Sequence, residues 1–238
     1  MKLLAWNYWG LGNAPAVHGL LRCRKVEEVD VLFLLETKLD EKMMTMFKKK
    51  LGMANMEVVD CEGKGRGLAA FWWGGIDVVL RSKSENHIDL EVQETGGDKC
   101  HDTGIYGEPQ ADLKYKTWER LVWLRDQDDE QLPWVCREDF NEILFHHEKE
   151  GGVPRSQACL DRFKNVLEAC ELDDLGFFGD IFTWRNKQIT GSTHIIERLD
   201  LAVANLGWRV KFLLMQVKNG DSYHSNHRPV GLLTKMLP

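Results

Sequence analysis

Several polar side chains lie at the ends of apolar segments in this sequence, where they could share one site. Carboxylate and amide oxygens suit Mg²⁺ or Mn²⁺, which commonly bind one or two carboxylates together with phosphate. A histidine beside a carboxylate is held in one orientation for proton transfer. Strand ends of α/β folds are where such sites are assembled. The candidate residues are Asn7, Glu36, Asp139 with Asn141, Asp200, and the Ser225-Asn226-His227 group.

Each of these residues also has an ordinary structural explanation when it is taken alone. Asn7 precedes a glycine-rich stretch, predicted as a turn at residues 10–13, and could belong to it; Glu36 could simply end a strand at the surface. Asp139 could begin a helix, where an acid is stabilised by the helix dipole. Asp200 could pair with a neighbouring arginine, and His227 could lie in a surface loop. The order of the motifs along the chain has to decide between these explanations and a shared site.

The spacing of apolar residues predicts strands with helices between them. In the helix predicted over residues 40–51, we expect Met43, Met46, Phe47 and Leu51 to face inward. Because strands outnumber helices, the pattern favours an α/β fold of two sheets packed face to face with helices outside. The predicted strands cover residues 2–7, 31–35, 56–61, 67–73, 77–81, 87–92, 103–106, 134–136, 182–184, 195–204 and 230–234, and the predicted helices cover residues 15–28, 40–51, 113–125 and 156–170.

Composition limits the possible classes of protein. The chain has 238 residues, is 43% hydrophobic and contains no Gly/Ser linker or charge block, which favours one domain over residues 1–238. A net charge of −6 does not indicate nucleic-acid binding. It does not exclude it either, because a carboxylate cluster that holds a cation is itself acidic. The 6 cysteines form no C-x-x-C pair, which argues against a zinc ribbon and favours a reduced, intracellular setting. With no signal peptide and no apolar run near 18 residues, we expect no membrane association.

The candidate residues fall within a series of short motifs that runs through nearly the whole chain. This series resembles the endonuclease/exonuclease/phosphatase superfamily, which includes the apurinic/apyrimidinic endonucleases and pancreatic deoxyribonuclease. The sequences of the motifs are most similar to those of the nuclease domains of plant LINE-type retrotransposons. In combination the motifs are highly specific, although a single Asp-Phe-Asn is weak. They read Ala5-Trp6-Asn7, Leu35-Glu36-Thr37-Lys38, Thr103-Gly104-Ile105-Tyr106-Gly107, Asp139-Phe140-Asn141-Glu142-Ile143, Glu148-Lys149-Glu150-Gly151-Gly152, Phe182-Thr183-Trp184, Glu197-Arg198-Leu199-Asp200 and Ser225-Asn226-His227-Arg228-Pro229.

The resemblance implies a four-layer αββα sandwich with the site at one edge of two packed sheets. It assigns Glu36 as the principal Mg²⁺ ligand, with Asn7 nearby. Asp139 then orients or deprotonates the attacking water, and Asn141 positions the phosphate. Further roles implied by the resemblance are a phosphate contact for Tyr106, a hydrogen-bonded pair at the phosphate for Asp200 and His227, and a metal or water contact for Asn226.

The resemblance also implies the reaction and its setting. The expected substrate is DNA, hydrolysed at a phosphodiester to leave a 3′-hydroxyl that primes reverse transcription. Mn²⁺ is an alternative to Mg²⁺. We expect a monomer that acts in the nucleus, and no reverse transcriptase follows within the chain.

The sequence departs from the retrotransposon pattern close to the expected site. Glu138 stands where a glycine is usual, which adds bulk and a like charge beside Asp139. Asn226 replaces an aspartate, Leu201 replaces an arginine, and other changes are Tyr8-Trp9 for Cys-Arg and Cys100-His101-Asp102 for Trp-Arg. Lys48-Lys49-Lys50 is the one tight basic run. Two alternatives therefore stay open: a folded remnant with weak or no activity, and a phosphatase of the same fold.

Overall fold

The computed structural model describes residues 1–8, 14–61, 66–94, 96–128, 130–188, 193–222 and 225–234, with the side chains of residues 14–16 and 26 not included. The predicted turn at residues 10–13 and the departure at Trp9 lie outside these ranges. No helix in the described ranges is long and apolar enough to cross a membrane. The cysteines are free thiols: Cys23, Cys61, Cys100, Cys136, Cys159 and Cys170.

The described chain alternates between short strands and helices, largely as the apolar spacing predicts. The strands are β1 (Lys2–Asn7), β2 (Val31–Leu35), β3 (Asn55–Val59), β4 (Leu68–Trp72), β5 (Ile76–Ser84), β6 (His87–Glu94), β7 (Lys99–Tyr106), β8 (Trp134–Asp139), β9 (Lys149–Glu150), β10 (Asp173–Asp174), β11 (Phe178–Gly179), β12 (Trp184–Arg185), β13 (Ile196–Glu197), β14 (Asp200–Ala204), β15 (Gln216–Asn219) and β16 (Val230–Leu233). The helices are α1 (Ala14–Glu27), α2 (Glu41–Leu51), α3 (Lys114–Asp126), α4 (Gln157–Ala169) and α5 (Leu206–Lys211), and a 3₁₀ turn covers His146–Glu148.

The strands form two large mixed sheets. The seven-stranded sheet has the order β11-β15-β16-β1-β2-β4-β3, with β1 parallel to β2 and antiparallel to β16. The six-stranded sheet has the order β10-β14-β8-β7-β6-β5, with β7 parallel to β8 and β8 antiparallel to β14. A small third sheet, β12-β13-β9, lies beside them.

Three apolar cores stack these elements into layers. Successive strand residues point to opposite faces, so each sheet contributes to a core on both sides. Between the sheets lies a core that includes Phe33 and Leu90. Outside the seven-stranded sheet, Leu32 and Leu34 pack against α1 and α2, and outside the six-stranded sheet Cys136 packs against α3 and α4. The predicted sandwich of two sheets flanked by helices is confirmed.

Close approach of the two sheets depends on one glycine of the Thr-Gly-Ile-Tyr-Gly motif. A Cβ atom at Gly104 would collide with the ring of Phe33 in the opposite sheet. The same ring lies under the guanidinium of Arg137, which pairs with Asp102 through bonds of 2.9 and 2.8 Å inside the sandwich. Gly104 therefore brings the two sheets close enough for their strand ends to meet.

The strand predicted over residues 195–204 is two strands in different sheets. β13 belongs to the small sheet, and β14 belongs to the six-stranded sheet. Between them, the Arg198 amide donates to the Glu148 carbonyl at 2.8 Å, and the Arg198 side chain pairs with Glu148 and Asp174. These bonds turn the chain from one sheet into the other, so the apolar run does not form a single strand.

The strand register brings the predicted site residues to one edge of the sandwich. Asn7 is opposite Leu35, the residue before Glu36, in the β1–β2 pair. Asp139 ends β8 between Tyr106 of β7 and Asp200 of β14. The two sheets therefore present their polar ends to the same space.

Candidate active site

Asn7 lies between two carboxylates at the end of β1. Its Nδ2 atom donates to Glu36 Oε1 at 3.3 Å and to Asp139 Oδ2 at 2.8 Å, so one amide joins the two sheets. The Tyr106 hydroxyl donates to the same Glu36 oxygen at 2.8 Å. Glu36 adopts a positive φ of 50°, which turns its side chain out of the strand direction. These bonds place Glu36, Asn7, Asp139 and Tyr106 together, as predicted.

The turn after β8 fixes Asp139 and Asn141. The Asn141 backbone amide donates to Asp139 Oδ1 at 2.8 Å, and its side-chain amide donates to the Gly107 carbonyl at 2.8 Å. Asn141 has a φ of 54°, a conformation that asparagine tolerates better than most residues. The buried Lys114 ammonium donates to the Asn141 carbonyl. A Cβ at Gly107 would clash with the Phe140 carbonyl, so only glycine fits there.

Asp200 and His227 form a buried pair on the other side of Asp139. The Nδ1 atom of His227 donates to Asp200 Oδ1 at 3.0 Å and to Oδ2 at 2.9 Å. The other ring nitrogen, Nε2, lies 3.9 Å from Asp139 Oδ2. Thr183 Oγ1 accepts the Asp200 amide at 3.0 Å and helps to hold the start of β14. The pairing fixes the ring so that Nε2 faces the site.

The loop that carries His227 is tied to β1. Ser225 Oγ donates to the Asn7 carbonyl at 3.1 Å and accepts the His227 amide at 3.1 Å. The Trp6 indole donates to the His227 carbonyl at 3.1 Å. Asn7 and His227 are therefore positioned by the same strand, although Ser225, which joins them, lies 218 residues after Asn7 in the sequence.

Burial sets the protonation of the central groups. Desolvation raises the pKa of Asp139 to about 7; the His227 cation opposes this shift, and the Asp200 carboxylate adds to it. Desolvation also disfavours a charged His227 ring, but Asp200, Asp139 and Glu36 outweigh it and raise the pKa of His227 to about 9. The pKa of the Tyr106 hydroxyl is raised by burial and then by Asp139 and Glu36, so Tyr106 stays a hydrogen-bond donor. At neutral pH the site therefore holds a cationic imidazole beside a carboxyl group poised to exchange a proton.

The donor set fits a hard divalent cation. Asn7 Oδ1 is buried without a hydrogen-bond partner among the described residues, and it lies on the amide that touches both Glu36 and Asp139. Orphaned acceptors of this kind are uncommon in folded proteins and suit a cation or its water. Ligand atoms of Asp139, Asp200 and His227 also lie within 4.8 Å of one another. Because Asp200 is engaged by His227, we regard the oxygens around Asn7 as the better cation position.

A pocket of about 270 Å³ opens onto this group. Asn226 lines the pocket, but its side chain is not in the hydrogen-bonded group described above. Its carbonyl accepts the Arg185 amide at 3.0 Å. The complete lining is Glu36, Tyr106, Pro109, Asp139, Asn141, Arg155, Trp184, Glu197, Leu199, Asn226 and His227.

Three pocket or support residues were not predicted from the sequence. Thr183 belongs to the Phe-Thr-Trp motif, but the motif does not indicate that the Thr183 hydroxyl accepts the Asp200 amide. Glu197 is part of the Glu-Arg-Leu-Asp motif and lines the pocket. Arg155 had no signal in the sequence, because it lies in a loop outside the motifs that contain the other candidate residues.

Glu138, which stands where the retrotransposon pattern has glycine, lies in a strained and buried position. Its φ is 107°, which is strained for any residue except glycine, and its side chain is fully buried. Within the described part of the chain neither carboxylate oxygen makes a hydrogen bond of ordinary geometry, and the nearby Asn7 backbone amide opposes only part of the rise in the pKa of Glu138. Desolvation raises the pKa of Glu138 well above its ordinary value, and the Asp200 and Asp139 carboxylates raise it further. The structure thus explains why a glycine suits this position.

Comparison with solved structures identifies the fold. The endonuclease domain of TRAS1, a telomere-specific non-LTR retrotransposon, matches with a TM-score of 0.73 at 13% identity over 100% of this chain and 99% of that chain. An AP endonuclease from Leishmania major matches with a TM-score of 0.72 at 14% identity over 100% of this chain and 88% of that chain. An AP endonuclease from Archaeoglobus fulgidus matches with a TM-score of 0.72 at 18% identity over 99% of this chain and 100% of that chain.

No protein-family model matches the sequence, and no curated protein sequence matches it. The structural likeness shows that the chain has the endonuclease/exonuclease/phosphatase fold, and the resemblance drawn from its motifs is confirmed at this level. The plant origin stays a prediction.

Proposed function

We propose that this chain is a divalent-metal-dependent endonuclease that hydrolyses a DNA phosphodiester and leaves a 3′-hydroxyl, as in target-primed retrotransposition. The observation that carries the proposal is the joining of Glu36 and Asp139 by Asn7, with the His227–Asp200 pair 3.9 Å from Asp139 in the same pocket. The fold that the chain shares with a retrotransposon endonuclease supports the choice of reaction.

The residues divide the chemistry between them. Glu36 and the Asn7 oxygen would hold a divalent cation, which would supply positive charge to offset the charge of the reacting phosphate. Asp139 takes a proton from the attacking water, whose oxygen forms the new bond to phosphorus while the bond to O3′ breaks. His227, kept cationic by Asp200, donates from Nε2 to a phosphoryl oxygen and stabilises the charge that develops there. The electron pair of the broken bond stays on O3′, which takes a proton from solvent water and leaves as the 3′-hydroxyl.

The remaining predicted residues have supporting roles in this proposal. The Tyr106 hydroxyl donates to Glu36 and so holds that carboxylate in place. Because Tyr106 also lines the pocket, we propose that it contacts the scissile phosphate as well. Asn141 uses its amide on Gly107, which leaves its second N–H for a phosphate oxygen. Asn226 lines the pocket as a neutral substitute for an aspartate, and we propose that it weakens the hold on the cation.

Nicking of supercoiled plasmid tests the proposal directly. We expect the wild-type chain to convert supercoiled DNA to open circles with Mg²⁺, with Mn²⁺ as a substitute, and not with EDTA. Glu36→Gln should abolish this activity, because the amide keeps the shape of the side chain but is a poor ligand for Mg²⁺. Glu168→Gln, an exposed change on α4, is the matched control and should nick normally. Wild-type-like nicking by Glu36→Gln at an unchanged melting temperature would remove the proposed metal site.

Glu138 supports a second candidate, in which the chain is a remnant that keeps the fold with little activity. Its buried carboxyl group lies close enough to Asp139 and Asp200 for their carboxylates to raise its pKa, and its φ of 107° strains the strand end that carries Asp139. A wild-type chain that folds, binds DNA and fails to nick in Mg²⁺ or Mn²⁺ would favour this candidate. A small phosphate monoester assayed in parallel tests the phosphatase alternative.

The setting is part of the proposal as well. We propose that residues 1–238 act as one domain, since both large sheets contribute residues to the core between them and to the pocket. We also propose a monomer that meets its DNA substrate in the nucleus. Size-exclusion chromatography with light scattering tests the monomer, and a fluorescent fusion tests the location.

A further inference from the structure

A chain of buried ion pairs leads to the wall of the active-site pocket. Lys114 Nζ lies 3.4 Å from Glu142 Oε2, and Arg155 Nε lies 3.4 Å from Glu142 Oε1. Arg155 Nη2 lies 3.1 Å from Glu197 Oε1, and Lys149 Nζ lies 2.8 Å from the same oxygen. The catalytic roles proposed above use none of these residues.

The network carries one more positive charge than negative charge. Lys114, Arg155 and Lys149 are cations, whereas Glu142 and Glu197 are carboxylates. The side chains of Lys114 and Glu142 are 7% and 1% exposed, and those of Lys149 and Glu197 are 10% and 6% exposed. Arg155 is 25% exposed and is thus the member through which the surplus charge reaches solvent.

Arg155 directs this charge at the site. It lines the same pocket as Glu36, Asp139 and His227. Its Nε atom lies against Glu142, and its Nη2 atom lies against Glu197. Because the pocket also holds the carboxylates of Glu36 and Asp139, an incoming phosphate needs fixed positive charge in addition to His227. A guanidinium held in a fork suits phosphate oxygens better than an ammonium does.

We propose that Arg155 binds a phosphate group of the DNA strand in the pocket and that Glu142 and Glu197 hold its guanidinium in the binding orientation. This inference rests on the proposed function, because it deepens the account of how the same pocket receives its substrate. Removing Arg155 leaves Lys114 to pair with Glu142 and Lys149 to pair with Glu197. The fold should therefore survive the substitution.

DNA binding in EDTA measures this contact without cleavage. The dissociation constant of a fluorescent duplex is measured by anisotropy over a series of NaCl concentrations for wild type, Arg155→Ala, Arg155→Gln and Arg155→Lys. Loss of one phosphate contact reduces the slope of log Kd against log salt by about 0.9 for duplex DNA. We expect this reduction for Arg155→Ala and Arg155→Gln, with the same weakening on every duplex sequence.

Two further variants separate the contact from a structural effect. Arg155→Lys should keep the wild-type slope because it keeps the charge, and it should bind more weakly than wild type because it loses the planar fork. Arg209→Ala removes an exposed arginine that pairs with Asp173 and is not among the pocket residues, so its slope should equal that of wild type. Melting temperatures identify any variant that fails to fold, and Arg155→Gln replaces Arg155→Ala in that case.

The outcomes distinguish this inference from the proposed function. An unchanged slope for the neutral Arg155 variants, in a wild-type chain that binds DNA, overturns the role of Arg155 and leaves the nuclease proposal in place. If the wild-type chain binds DNA but does not nick it, the slope of log Kd against log salt still decides the role of Arg155. A wild-type chain without salt-dependent binding overturns both.

Discussion

Replacing Glu138 with glycine should stabilise the protein. The φ of 107° costs a non-glycine residue on the order of 1–3 kcal/mol. A buried carboxyl group without hydrogen-bond partners costs a similar amount, about 1–3 kcal/mol. Against these gains, glycine adds about 0.5–1 kcal/mol of chain entropy to the unfolded state, and the vacated volume loses packing contacts. We therefore expect Glu138→Gly to raise the free energy of unfolding by about 1–3 kcal/mol at neutral pH.

The matched variant Glu138→Gln separates charge from backbone strain. Glutamine keeps the shape and the positive φ but does not ionise. The pKa of Glu138 in the folded state lies well above the ordinary value of 4.5, so the folded state keeps its proton while the unfolded state loses it. This contribution to stability is fully present below pH 4.5 and is lost as the pH rises towards the folded-state pKa, by about 1.4 kcal/mol per pH unit.

The two variants should consequently differ from wild type in different ways. Glu138→Gln should match wild type near pH 4.5 and become progressively more stable than wild type as the pH rises towards the folded-state pKa of Glu138. Glu138→Gly should show the same pH-dependent gain together with a gain at every pH from relief of the backbone. For a chain of this length, each kcal/mol raises the melting temperature by about 2–4 °C.

Urea unfolding followed by tryptophan fluorescence, at several pH values between about 4.5 and 7, measures both effects. A difference between Glu138→Gln and wild type that does not change with pH would refute the argument from the buried charge. Equal stability of Glu138→Gly and Glu138→Gln near pH 4.5 would refute the argument from the backbone. The same three proteins, compared by plasmid nicking, show whether the carboxyl group also limits activity.

Three further predictions concern the site itself. His227→Ala, Asp200→Ala and the double mutant should reduce the nicking rate alike within about tenfold, or about 1.4 kcal/mol, because the paired groups act as one unit; strictly additive losses would contradict this. The pH profile of kcat/KM should rise near pH 7, where Asp139 becomes a base, and fall near pH 9, where His227 loses its positive charge; a profile without both limbs would contradict the assignment. Asn226→Asp should raise nicking at low Mg²⁺, and coincident Mg²⁺ titrations of two active proteins would show that Asn226 does not limit metal use.

The core strands, and the position of the candidate site residues at one edge of the sheets, could be predicted from the sequence because the signals are local. A buried strand reads as a continuous apolar run, and a polar residue directly after it, such as Glu36, must lie at the sheet edge. The helix face was harder to predict. Met43 and Met46 were expected to face inward, but they are 39% and 48% exposed, whereas Met44 is buried. Residues 44, 47 and 51 form a stripe at helical spacing just as residues 43, 46 and 47 do, and only the sheet beneath the helix decides between them.

The parts of the site that the sequence could not predict are contacts between distant segments. Arg155 reaches the pocket because two carboxylates hold it there, and each carboxylate is itself held by a lysine from another segment. No single segment contains enough of this network to mark Arg155 by its spacing.

Glu138 shows the complementary case, in which a local signal needed the backbone to explain it. Glu138 is unusual for the motif that contains Asp139, but neither its charge nor its size indicates how the backbone is strained at this position. The φ of 107° supplies that reason, since glycine alone adopts this conformation at little cost. The buried carboxyl group then lies where the sheet edge already gathers Asp139 and Asp200, so its burial affects both the stability of the fold and the charge of the site. A single substitution at Glu138 can therefore distinguish two hypotheses about this chain. If Glu138→Gly increases both stability and nicking, the loss of glycine impaired an otherwise complete site. If it increases stability alone, another residue limits activity, and Asn226 is the next one to restore to aspartate.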